Sequence, residues 1–183
     1  MSIMNIFDEN FKEILSSVIV SVIGGVIAGA FLVIYTDKLL LIPGMLMLLP
    51  GFLEIRGSIS GTFASRLSSG LFLGVIKPNK ANTKIVQGNI WASFLLAIIL
   101  SFTLGLIAFL FNYLVLKEAS PQIILLPLIA GIIANAIEIT LTLFATFYLF
   151  KKGHDPNNIM GPFITTTGDI TSILALLIAL AIV

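Results

Sequence analysis

Charge is missing from this chain over distances that a water-soluble fold does not tolerate. Residues 14–35 and 90–116 contain no Asp, Glu, Lys or Arg; residues 121–150 contain one, Glu138, and residues 161–183 contain one, Asp169. A helix needs about 20 predominantly apolar residues to cross the hydrocarbon core of a bilayer, and each run is long enough. A fifth run, residues 39–76, is as long but is broken up by Pro43-Gly44, Pro50-Gly51, Glu54, Arg56 and Arg66. The expectation is an all-α integral membrane protein, one domain over residues 1–183, with five transmembrane helices and an interrupted second segment. Only 10% of residues are charged, against roughly 25% in soluble domains, so the whole chain follows the same rule.

Several functions drop out at once. A formal charge of +1 leaves no basic surface for nucleic acid. With no cysteine and one histidine, His154, the chain has no thiolate metal site and no His-rich zinc site. No nucleophile–base pair lies in the apolar runs, so an intramembrane enzyme is disfavoured and no cofactor is expected. Residues 1–15 hold one Lys among three acids, unlike the basic start of a cleaved signal peptide, and the chain reads as mature. Lys12, Lys77, Lys80, Lys84, Lys151 and Lys152 fall on one side of the five crossings, Lys38 and Lys117 on the other. The positive-inside rule then places the N-terminus in the cytoplasm and the C-terminus outside a cell membrane.

The second segment is the least ordinary. Proline lacks an N–H and glycine weakens a helix, and broken backbone at membrane depth survives only inside protein or beside water. After the breaks, Glu54, Gly57, Ser58 and Gly61 recur at i, i+3, i+4 and i+7, and Ser65 and Ser68 extend the same face of a helix. Such a stripe suits either a pore wall or close helix packing, and the pattern does not separate the two. Gly25 with Gly29, and Gly70 with Gly74, read as packing pairs. Arg56 and Arg66 read as interfacial anchors that reach toward water.

The two isolated acids matter more. An acid at the centre of a membrane helix costs about 2.5–3.5 kcal/mol on insertion scales, and such groups mark ion paths more often than not. Asp169 has Thr165, Thr166 and Ser172 one turn away, and counting from Pro162 puts it on the order of 10 Å inside its helix. Thr167 and Thr171 point elsewhere and can bond back to the helix. The competing reading is a protonated Asp169 bonded to a neighbouring helix. Glu138 shares a face with Asn135 and Gly131; it either pairs with Arg56 or Arg66 or joins the path. An oxygen-only site suits Mg²⁺, Ca²⁺ or Mn²⁺, although a lone carboxylate also suits a proton relay. In "HDPNN", Asp155 and Asn157 read first as a turn and a helix cap.

Two motifs carry a resemblance. "KKGHDPNNIMGPFITTTGDITSILALLIA" resembles the last loop and helix of the MgtE magnesium transporters and their eukaryotic solute-carrier relatives, and "LPGFLEIRGSISGTFASRLSSGLFLG" resembles the second segment of that family. The resemblance implies a two-fold homodimer in the membrane lipid, with the second and fifth helices lining the path of Mg²⁺ or another divalent cation. It also implies that Asp169 helps hold the hydrated ion, and it places Asp155 and Asn157 near one exit. Ser58 stands where family members usually carry Asn, a departure that bears on ion preference. The chain is expected to act as a stand-alone membrane domain, without the soluble N-terminal and CBS domains of bacterial members. The alternatives are a Na⁺- or H⁺-coupled exchanger using Glu54 or Glu138, or a membrane scaffold whose polar groups only join helices.

Overall fold

A computed structural model describes residues 3–183, with side chains from Asn10 onward. Five helices follow one another: α1 (Ile3–Leu39), α2 (Met45–Phe72), α3 (Lys84–Phe111), α4 (Gln122–Lys151) and α5 (Pro156–Ile182). A π-helical turn, Asn112–Leu116, continues α3. The described residues contain no strand. Helices α1, α3, α4 and α5 are long and apolar enough to cross a membrane. Helix α2 has the length, at 28 residues, but its glycines, serines and charges dilute its hydropathy. The protein is a multi-pass membrane protein.

The second segment is interrupted once, and not where the second Pro-Gly pair predicts. The chain turns at residues 40–44, where Gly44 adopts a left-handed conformation (φ 79°) and caps α2. Pro50 sits inside α2 as its sixth residue, and the helix runs unbroken from Met45 to Phe72. Beside Pro50, the absence of a side chain on Gly51 lets Leu104 of α3 pack against the backbone. The freed backbone of the turn is answered from α3: Asn112 donates from Nδ2 to the Pro43 carbonyl at 2.6 Å. A buried amide side chain at that π turn does what water does at a soluble helix end.

Helix α4 is central, packing on α2, α3 and α5, while α1 packs chiefly on α5. The α1–α5 seam rests on Gly24 and Ala28, both buried, with Gly24 directly under the Thr166 methyl. Gly25 and Gly29, expected to be the packing pair, meet no neighbouring atom. The hydrophobic stripe of α1 therefore lies one residue earlier in register. Gly70 receives the Ile76 side chain, and Gly74 is a left-handed stop after α2 (φ 70°) rather than a helix contact. Proline is accommodated in α5 as well. Pro162 leaves the Asn158 carbonyl without its helical partner, and Ser17 of α1 donates to that carbonyl at 3.2 Å.

Two of the apolar clusters of the core flank a polar interval. One gathers Leu48, Phe52, Leu126, Ala130, Ala134 and Leu176; the other gathers Phe63, Leu67, Val86, Ile139 and Phe147. Along α2 and α4 the interval between them is occupied by Arg56, Asn135 and Glu138, all buried.

Candidate functional site

Helices α2 and α5 form an open cavity of about 230 Å³. From α2 it is lined by Pro50, Leu53, Glu54 and Gly57, and from α5 by Ile164, Thr165, Gly168 and Asp169. The helical repeat explains the set, because residues three and four apart share a face. Asp169 lies thirteen residues from each end of α5, about 20 Å along the axis. The count from Pro162 was too short because α5 begins at Pro156, one and a half turns earlier. Asp155 caps that start by accepting from the Asn157 N–H at 2.8 Å, as the turn reading of "HDPNN" expects.

A second cavity of about 240 Å³ continues along the same groove, with Gly61, Ala64 and Ser65 on α2 and Pro156, Asn157, Met160 and Gly161 on α5. Ile164 borders both cavities. A Cβ built on Gly57 or Gly61 meets nothing within 4 Å, so neither glycine is there to let another helix of this chain approach. Ser58 and Ser65 are exposed, and Ser58 donates to Glu54 Oε1 at 3.4 Å.

Two of the residues grouped with Asp169 lie elsewhere. Thr166 faces α1, donating to the carbonyls of Pro162 at 3.1 Å and Ser21 at 3.4 Å. Ser172 is fully buried and lines neither cavity. One turn along a helix fixes only an approximate direction, and here the groove is narrower than the patch of hydroxyls around it.

The opposite face of α5 carries a second set of polar contacts. Thr171 donates to Glu138 Oε1 at 3.0 Å, and Thr167 approaches Oε2 at 3.4 Å. Arg56, expected at the membrane surface, is 1% exposed. It donates from Nη1 to Asn135 Oδ1 at 3.1 Å and to the Gly131 carbonyl at 3.4 Å. The reason is that α2 starts at Met45, eleven residues before Arg56, so Arg56 lies about 16 Å inside the helix and not at its end. Glu138 thus lies behind α5, in a network that joins α2, α4 and α5. Arg66 remains at an exposed position, donating to Asn89 Oδ1 at 3.4 Å. The signal for Thr167 and Thr171 was present: hydroxyls two residues either side of an acid mark a helix that is polar on two faces.

At one end of the bundle, His154 Nδ1 lies 2.8 Å from Glu13 Oε1, tying the α4–α5 loop to α1. Among the described residues no three His, Cys, Asp or Glu side chains come together. What the groove offers is two carboxylates, Glu54 and Asp169, and the hydroxyl of Thr165, a set of hard oxygen donors facing one space.

The family model for MgtE, described as a divalent cation transporter, matches residues 49–179. The chain belongs to the MgtE family. Comparison with curated proteins and with solved structures finds no match. The span shared with MgtE starts in α2 and ends in α5, so it includes both walls of the groove and the whole of α4. MgtE is a transporter family and not a family of enzymes, and divalent cation transport is the function that membership carries.

Proposed function

We propose that the protein carries Mg²⁺ across the membrane through the α2–α5 groove, with Asp169 as the carboxylate that holds the hydrated ion. The observation that carries this reading is the common cavity of Asp169 and Glu54 halfway along α5. Mg²⁺ gives up its water reluctantly and is usually held through that water by one or two carboxylates. A space of about 230 Å³ with oxygen donors on two walls suits a partly hydrated ion better than a dehydrating cage. Gly57 and Gly61 keep the α2 wall low, and Ser65 and Asn157 continue the lane toward one end. One protomer supplies few ligands, which favours a homodimer that brings two Asp169 carboxylates toward a two-fold axis. In this reading the basic loops favour a cytoplasmic N-terminus, and residues 1–183 act as a single membrane domain.

The test is Mg²⁺ flux into liposomes containing purified protein, comparing wild type with Asp169→Asn in the presence and absence of Na⁺ and pH gradients. Flux is expected in wild type and its loss, by a factor of ten or more, in a variant that is still folded. A rate that follows the Na⁺ or proton gradient identifies an exchanger, and one that ignores both identifies a channel. Equal flux in the two proteins removes Asp169 from the path.

A further inference from the structure

Arg56 creates an electrostatic difficulty for a cation path. It lies between Glu54 and Gly57 in sequence, so a permanent positive charge stands directly behind the α2 wall of the groove. Its side chain is buried, and Nε and Nη2 have no hydrogen-bond partner. The neutral Asn135 and the Gly131 carbonyl accept from Nη1 but cancel no charge. Salt does not screen a buried charge as it screens a surface one. In a medium of effective dielectric about 20, a bare unit charge behind the path weakens binding of a divalent ion on the order of tenfold or more.

A second ionisable side chain is buried in the same interval. Glu138 is fully buried on α4, three residues from the Asn135 that accepts from Arg56, with no direct ion pair between the two charged groups. Helix α3 adds no charge there, since its one charged residue is Lys84 at the start. Thr171 donates to Glu138 Oε1 at 3.0 Å, and Thr167, which donates to the Phe163 carbonyl at 2.9 Å, lies 3.4 Å from Oε2; these contacts fix the face that α5 turns to α4.

We propose that Glu138 is the built-in counter-ion of Arg56, and that this neutralisation, together with its hold on Thr167 and Thr171, keeps the α2–α5 groove attractive to a divalent cation. Glu138 is a positioning residue in this scheme and does not touch the ion. The proposal rests on the groove being the cation path.

The experiment measures the Mg²⁺ dependence of flux in liposomes for wild type, Glu138→Gln, Arg56→Gln, the double variant Arg56→Gln/Glu138→Gln and, as reference, Asp169→Asn. Glu138→Gln leaves Arg56 uncompensated and is expected to raise the half-saturating Mg²⁺ concentration about tenfold or more, with a smaller effect on maximal rate. Removing both charges is expected to return that concentration to within about threefold of wild type. A role in helix packing alone makes the double variant at least as impaired as Glu138→Gln, and that result overturns the proposal. Should Glu138→Gln fail to fold, Arg56→Gln carries the test: it adds net negative charge behind the groove and must lower the half-saturating concentration, and an unchanged or higher value overturns the proposal. Flux that survives in Asp169→Asn refutes the cation path itself, a failure distinct from any pattern among the charge variants.

Discussion

Gly57 shows what a missing side chain does at a membrane wall. It faces the cavity shared by Glu54 and Asp169, and a Cβ there meets no atom. A larger residue is therefore accepted by the fold yet occupies the space proposed for the ion. Gly57→Leu is expected to leave thermal stability unchanged or slightly raised, since glycine costs a helix about 1 kcal/mol relative to alanine, while Mg²⁺ flux falls severalfold or more. Melting in detergent and liposome flux on the same preparation check both halves; a loss of stability in step with flux shows that Gly57 supports packing instead. Asp169, Glu54 and Gly57 were legible because intramembrane acids are rare and α-helical spacing is regular. Arg56 was not. Its depth depends on where α2 starts, and Pro50 inside the helix disguises that start.

Whole helices were easier to read than the faces they turn to one another. Apolar length fixed α1, α3, α4 and α5, because a membrane span needs a given number of residues whatever its neighbours. The α1–α5 seam was misread because three glycines stand close together in α1 and hydropathy does not rank them. The structure selects Gly24, under Thr166, and leaves Gly25 and Gly29 open. Gly24→Leu is accordingly expected to force α1 away from α5 and cost about 1–3 kcal/mol, the range for overpacking, whereas Gly25→Ala costs nothing measurable. Thermal unfolding of the two variants in the same detergent checks the difference, and equal losses place the seam elsewhere. The π turn after α3 was hidden for a related reason: the sequence shows Asn112, but not that Pro43 will need it.

At the scale of the molecule, α4 acts as a strut behind the groove, linked to one wall through Arg56 and to the other through Thr167 and Thr171. The contact between Glu13 and His154 places the start of α1 and the α4–α5 loop at the same end of the bundle, as alternate crossings require. Because the chain has no cysteine, single introduced cysteines report sidedness cleanly. Lys80→Cys and Lys152→Cys are expected to react with an impermeant maleimide from the cytoplasmic face and Lys117→Cys from the opposite face; labelling in the reverse sense inverts the proposed orientation. The central position of Asp169 in α5 has an electrical consequence. A divalent ion held midway has crossed about half of the transmembrane voltage, and two charges over half the drop equal one charge over all of it, about 2.3 kcal/mol per 100 mV. On the function proposed above, occupancy of the groove follows the membrane potential as well as the ion concentration, and a negative cell interior favours filling it from outside.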